Sequence, residues 1–347
     1  MNIRHKITKL IKKNNKPIRL DNFIEEILFK KNGYYNNNLP IGSGGDYITS
    51  PEISQTFGEI IGLFIYDFWL NTINSKFNLI ELGPGKGTLM DDIIRVTKKK
   101  KNFIQDCKVT LVDINKELIS LQKEKLNKHS LINIKWKNKF QIYNSLPSII
   151  FANEFLDCFP IRQFFKKNDW FEKFIDFHSD EDRFFFKNKK VKDKKILEKL
   201  KDYKKDGVAE ISEKRSKYFD KICNHILKNK GMIIAIDYGY FDNIKNYTLQ
   251  SINNNKKSYL FDNIGEQDIT AHVNFKELIK IARINNLKIK TYCTQRQFLI
   301  NSGIILRKNN LILNAAGIQK KTVENSINRL IDENQMGTNF KFLIIQS

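Results

Sequence analysis

The sequence predicts an α/β protein with a mostly parallel sheet covered by helices on both faces. Three observations carry this reading. From residue 77 onward, short β-branched runs alternate with helix-period segments; a glycine turn, GPGKG at 83–87, joins the first run to the first helix; and the second run closes on an acid, Asp113. Near-continuous apolar strands separated by amphipathic helices mark βαβ units, whose strands are buried on both faces.

Taken in order, residues 3–13 and 20–31 carry apolar positions at helical spacing. NGYYNNNLPIGSGGDYI at 32–48 has the Gly, Asn and Pro content of a loop that folds over something. A helix is expected through TSPEISQTFGEIIGLFIYDFW, with Thr49 or Ser50 as cap, Pro51 in the first turn and Thr49 with Glu52 forming a capping box. Phe57, Ile61, Phe64 and Phe68 mark its core face. Strands are then expected at 77–82, 108–114, 132–136, 148–154, 231–239 and 287–293, with helices at 86–98 and 115–127. Residues 161–187, Phe and Trp among charges, read as hairpins inserted after the fourth strand. The closing FKFLIIQS reads as a last strand, antiparallel at or near an edge. The expected division is an N-terminal helical region with a covering loop, 1–75, and a Rossmann-like core, 76–347, carrying a β-rich and helical insertion at about 161–230. Neither a Pro/Gly-rich linker nor an internal repeat interrupts it.

Composition narrows the function classes. With 347 residues, 41% of them hydrophobic, the chain can bury a substantial core. Sixty Lys and Arg against 38 Asp and Glu leave a net charge of +22, which by itself suggests phosphate-bearing partners. Lys, Asn, Ile and Phe are heavily used throughout, however, as in KKKK at 98–101 and NNNKK at 253–257. The charge is therefore read as compositional, and nucleic acid is not the expected partner. Cys107, Cys158, Cys223 and Cys293 form no CxxC, and the five histidines show no ligand spacing, so neither a metal nor a disulfide framework is expected. The basic start lacks a continuous apolar stretch, and IIGLFIYDFWL at 60–70 contains Asp67 and is too short for a bilayer. A soluble protein without membrane insertion is expected.

The glycine turn selects among ligands. A Walker loop needs GxxxxGK followed by Ser or Thr, and here Lys86 precedes Gly87; a dinucleotide fingerprint needs GxGxxG, and here the spacing is GxGxG with Pro84 inside. Acids flank the turn: Glu81 near the end of the first strand and Asp113 at the end of the second, where a carboxylate binds ribose hydroxyls. A ligand with an adenosine ribose, a cationic centre and no pyrophosphate suits this set, and S-adenosylmethionine is such a ligand. The expected contacts are Glu81, Gly83, Pro84, Gly85 and Gly87, Thr88 opening the helix, and Asp113 with Ile114. FANEFLDCFPIRQF at 151–164 should then lie beside the cofactor's reactive end, bringing Asn153, Glu154 and Asp157 together. Two carboxylates near a transferable methyl suit a guanidinium acceptor, because they hold its planar fork and take the proton lost on transfer. Two other readings stay open here. Glu154 caps the next turn while Asp157 pairs with Arg162, or Asn153 binds a base amine with Phe155 or Phe159 stacked on the base. Tyr238, in AIDYGYF, and His272, before a helix that Asn274 is placed to cap, are further candidates for the acceptor channel.

Together with GYY at 33–35, GDYITSPEISQTFGEIIG at 45–62, NEFLDCFPIRQF, IDYGY, DITAHVNF and MGTNFKFLII at 336–345, the turn resembles the MidA family of class I S-adenosylmethionine-dependent methyltransferases along nearly the whole chain. The resemblance implies a class I methyltransferase sheet and protein arginine N-methylation. The implied client is a core subunit of respiratory complex I (NADH:quinone oxidoreductase) during its assembly. It also implies that GSGGDYITSPE lies near the cofactor, which adds Gly45, Thr49, Pro51 and Glu52 to the contacts with Asn153. The chain departs from the family at Lys86, where the family has arginine, at Asp113, where it often has glutamate, and at FDNIGEQ, where it has a DPL-type block. The implied location is the cytoplasm of a bacterium with an AT-rich genome, or the mitochondrial matrix if the source is eukaryotic. A homodimer, a non-catalytic assembly chaperone on this fold and a nucleic-acid methyltransferase remain open at this point.

Overall fold

The computed structural model describes residues 2–37, 48–141, 145–203 and 207–347. Seven strands make the main sheet: β1 Phe77–Leu82, β2 Cys107–Val112, β3 Asn133–Lys137, β4 Ser148–Asn153, β5 Gly231–Tyr240, β6 Lys288–Thr294 and β7 Phe340–Gln346. Their order is β6-β7-β5-β4-β1-β2-β3. β5, β4, β1, β2 and β3 run parallel, while β7 is antiparallel to both neighbours. The closing strand is thus antiparallel as expected and sits one place in from the edge. The two-residue strand Val273–Asn274 extends β5 as an eighth member.

The apolar runs follow from burial on both faces. Ile149 and Phe151 of β4 enter one core with Met232, Ile234 and Ile236 of β5. Their neighbours Ile150, Ala152, Ile233 and Ala235 enter the opposite core. Alternate side chains of a strand point to opposite faces, so a strand between two helical layers must be apolar at consecutive positions.

Residues 3–14 and 20–29 form helices α1 (Ile3–Asn14) and α2 (Leu20–Phe29). They share a core with Ile175 and Phe184 of a second, five-stranded sheet built from 18–19, 162–166, 170–178, 183–190 and 208–211. The segment expected as one capped helix is two: α3 Ser50–Ile53 and α4 Gln55–Phe68. The Thr49–Glu52 capping box does not form. Thr49 makes no side-chain cap bond, and the Glu52 carboxylate instead accepts the hydroxyl of Thr88. Ser54 caps α4 through Thr56 N–H. Phe57, Ile61 and Phe68 are buried in the main core and Phe64 packs against it, each such burial contributing about 1.5–3 kcal/mol.

Further along come α5 Thr88–Thr97, α6 Lys116–Leu126, α7 Glu213–Asn229 and α8 Phe275–Ile284. α7 lies within the 161–230 stretch, yet Phe219, Ile222, Cys223 and Ile226 pack it on the main sheet with Ile150 and Ile233. The part that leaves the main sheet is therefore strands 162–211 with the helix Lys194–Leu200. Asn274 caps α8, accepting Glu277 N–H at 3.2 Å. Among the described residues, no helix is long and apolar enough to cross a membrane, and no group of three or more His, Cys, Asp or Glu is placed to hold a metal.

Candidate active site

The chain runs outward from β1 through β2 to β3 and then returns to place β4 beside β1. In such sheets the crevice for ligands opens at the carboxyl ends of the strands flanking that reversal. Two segments meet there, the GPGKG turn after β1 and Asn153–Glu154 after β4.

Gly83, Gly85 and Gly87 have φ of 65°, 55° and 78°, a region in which a Cβ is disfavoured. At Gly83 the requirement is doubled, because a Cβ would stand 2.6 Å from Phe155 Cδ2. The turn is closed by Gly83 N–H on the Val112 carbonyl at 3.0 Å and by Gly87 N–H on the Pro84 carbonyl at 2.8 Å. Asp113 lies past the end of β2, where its Oδ1 accepts Asn115 N–H and its Oδ2 accepts Gln122 Nε2, both at 2.9 Å. The same Gln122 amide donates to the Gly85 carbonyl at 2.8 Å. Gln122 thereby clips the acid to the glycine turn. It is fully buried on α6, and sequence reasoning missed it; the one available signal was a polar residue on the buried face of an amphipathic helix.

Two cavities meet at this point. The larger, about 420 Å³, is bordered by Gly83, Gly85, Asp113 and Ile114, by Tyr35 and Phe29 of the N-terminal region, and by Phe155, Phe159 and Tyr218. Those last three rings form a mutually packed wall, with centroids 5.3–5.6 Å apart. The smaller, about 30 Å³, is bordered by Thr49, Pro51, Glu52, Glu81, Pro84, Thr88 and Asn153. Gly83, Gly85 and Glu154 border both. Gly87 caps α5 and borders neither, and Gly45 lies outside the described residues.

Glu154 occupies the junction in an unusual backbone state, φ 51°. Its Oε1 accepts Ser50 N–H at 2.9 Å and Asn153 Nδ2 at 3.1 Å, so it caps α3 from across the cleft and not the turn that follows it. Burial pushes its carboxyl up to about 8, reinforced by Asp157. Burial likewise raises Glu81 to about 8 and Asp113 to about 6.

Asp157 lies within electrostatic reach of Glu154, as expected, but does not line the site. It borders neither cavity and is 7% exposed, and its electrostatic neighbours are Asp237, Asp268 and Arg215. Arg162, the alternative partner, is engaged bidentately by Glu172 at 2.7 Å on both bonds. Tyr238 and His272 also border neither cavity. They stack on one another at 6.2 Å, and Tyr238 contacts Phe340 at 4.0 Å between centroids.

These groups set a pH dependence. Glu81 and Glu154 hold more protons folded than unfolded between about 4.5 and 8, so their contribution to stability is present at low pH and lost as pH rises through that window. Buried His225, lowered to about 4, acts below pH 6.5 in the opposite sense. The melting temperature of the cofactor-free protein should therefore fall between pH 6.5 and 8.5, and Glu81→Gln should flatten the slope. A flat or rising profile in wild type would contradict this assignment.

The residues fit a cationic adenosyl ligand. Glu81 Oε2 and Asn153 Oδ1 are buried acceptors without a hydrogen-bond partner among the described residues. Both residues border the small cavity, and a ligand bearing ammonium and sulfonium groups supplies donors and positive charge there. Fold, glycine turn and paired cavities define a class I methyltransferase architecture. A family model described as S-adenosyl-L-methionine-dependent methyltransferase matches residues 60–293, and the chain belongs to that family. Among curated proteins, the chain is 29% identical to "Protein arginine methyltransferase NDUFAF7, mitochondrial" of Danio rerio, over 99% of this chain and 86% of that one. To the Homo sapiens protein of the same name it is 28% identical, over 99% and 82%. A COG1565 superfamily member from Burkholderia thailandensis, solved with S-adenosyl-homocysteine, shares the fold at TM-score 0.85 and 20% identity, over 99% of this chain and 92% of that one.

Proposed function

We propose that this chain is a protein arginine N-methyltransferase whose client is a core subunit of respiratory complex I during assembly, with Glu154 as the acceptor-binding and proton-accepting group. The observation that carries the reading is the Glu154 carboxyl at the junction of the two cavities, beside the buried acceptors Asn153 Oδ1 and Glu81 Oε2. The arginine substrate is supported by the name of the curated relatives, and the complex I client by the family resemblance of the motifs. The compartment that follows is the bacterial cytoplasm or the mitochondrial matrix.

Bound S-adenosylmethionine supplies an electrophilic methyl group on a sulfonium. Asp113, held by Gln122 and Asn115, binds ribose hydroxyls. Gly83 and Gly85 leave bare main chain against the ligand, and Glu81 places an acidic side chain near its positive end. Glu154 accepts N–H bonds from the guanidinium and orients one ω-nitrogen. With the methyl supplied by bound S-adenosylmethionine, the Glu154 carboxylate would take the proton that the methylated nitrogen sheds. A guanidinium alongside favours the ionised form of Glu154 that burial alone disfavours.

The test incubates the protein with tritiated S-adenosylmethionine and an extract of cells lacking it. Label that is lost to protease and recovered as methylarginine after hydrolysis is expected. Label removed by ribonuclease, or none at all while calorimetry shows cofactor binding, would replace this reading with a nucleic-acid enzyme or a chaperone.

A further inference from the structure

We infer that Asp237 is a positioning residue for methyl transfer: its buried carboxylate pins the turn that aims Glu154 at the junction of the two cavities. The inference rests on the role proposed for Glu154 and extends it to a residue that borders neither cavity.

The geometry is specific. Asp237 Oδ2 accepts three consecutive backbone N–H groups, Phe155 at 3.1 Å, Leu156 at 2.8 Å and Asp157 at 3.2 Å. Successive N–H groups converging on one anion form a nest, which fixes the backbone that supplies them. Oδ1 accepts Tyr238 N–H at 2.9 Å, so the carboxylate is locked at both oxygens, and Asp237 has no solvent exposure. Immediately upstream, Glu154 N–H donates to the Ile236 carbonyl at 2.9 Å. Glu154 itself holds φ 51°, a state that a residue with a β-carbon keeps only where the surroundings impose it. The four N–H groups of 154–157 thus all terminate on Ile236 and Asp237 of β5. On the far side, Arg215 Nη1 donates to the Leu156 carbonyl at 3.2 Å. The charged and titratable groups facing Asp237 are Glu154, Asp157 and Cys158 from this turn, Arg215 from α7 and Tyr238 from its own strand.

Asp237→Asn keeps the shape and one acceptor oxygen but removes the charge and one set of N–H bonds. In the labelled-extract assay at saturating cofactor, the rate should fall about 10- to 100-fold, the scale of an ångström-sized misplacement of a reacting group. Calorimetric affinity for S-adenosylmethionine should stay within about threefold, because Asp237 does not border its cavity. The acidic limb of the rate profile should move to lower pH, since a negative charge near Glu154 is gone. Combined with Glu154→Gln, the substitution should cost no further activity, because both act through one group. A wild-type rate with an unmoved pH limb, or equal losses of rate and cofactor affinity, would overturn the inference. If Asp237→Asn does not fold, Asp237→Glu carries the rate and affinity comparison: the carboxylate is kept and displaced by one methylene, so the rate should fall at unchanged cofactor affinity, and a wild-type rate would overturn the inference. Failure of wild type to label protein would instead strike the functional reading and leave the geometry of Asp237 untouched.

Discussion

Glu154→Gln is expected to lower the rate of methyl transfer about 10²- to 10⁴-fold, the range associated with loss of a positioned proton acceptor, while weakening cofactor binding less than tenfold. The separation follows from what the amide retains. Its carbonyl oxygen still accepts from Ser50 N–H and Asn153 Nδ2, the two donors that the carboxylate holds in wild type. The turn, the start of α3 and the cavity walls therefore keep their places. What is lost is the negative charge that holds a guanidinium and the base that takes its proton. A neutral amide also removes a carboxyl whose ionisation is opposed by burial, so the variant should melt higher than wild type at pH 8.5. Activity within a factor of three of wild type, measured at saturating S-adenosylmethionine, would show that another group takes the proton.

The parts of this site that were legible in the sequence are those whose chemistry is local. GPGKG needs its glycines because the turn is tight over five residues, and Asp113 is recognisable because a strand end places it. The sheet itself was readable because strands buried on both faces must be apolar at consecutive positions. Asp157 shows where local reading stops. Three residues past Glu154 it reads as a second carboxylate at the acceptor, and it does stay within electrostatic reach of Glu154, but with its N–H held by Asp237 it borders neither cavity. Arg215 was invisible for the same reason, its partner lying 59 positions away, and Gln122, which reaches Gly85 across 37 positions, left only the trace of a polar residue on a buried helix face. The Thr49–Glu52 box failed through long-range competition. Thr88, 36 positions on, takes the glutamate, and no pattern within the helix reports that.

Gly83→Ala should reduce affinity for S-adenosylmethionine at least tenfold, about 1.4 kcal/mol, and lower the melting temperature as well. Two costs act together. At φ 65° a β-carbon meets the left-handed penalty of about 1–2 kcal/mol, and its new methyl lies 2.6 Å from Phe155 Cδ2. The ring has little freedom to yield, because it packs against Phe159 and Tyr218 at 5.5 and 5.6 Å and the backbone N–H of Phe155 is held by Asp237. Any displacement therefore reaches the aromatic wall of the large cavity and the backbone of Glu154. Gly303→Ala isolates the first cost from the second. Gly303 has φ 87°, and no atom of the described residues comes within 4 Å of where its β-carbon would stand, so this variant should show the backbone penalty in stability and an unchanged cofactor affinity. Calorimetric titration of both variants decides the matter. Equal affinities would mean that Phe155 moves freely and that the glycine turn serves the backbone alone, whereas a deficit confined to Gly83→Ala ties the cofactor site to the ring and through it to the turn that carries Glu154.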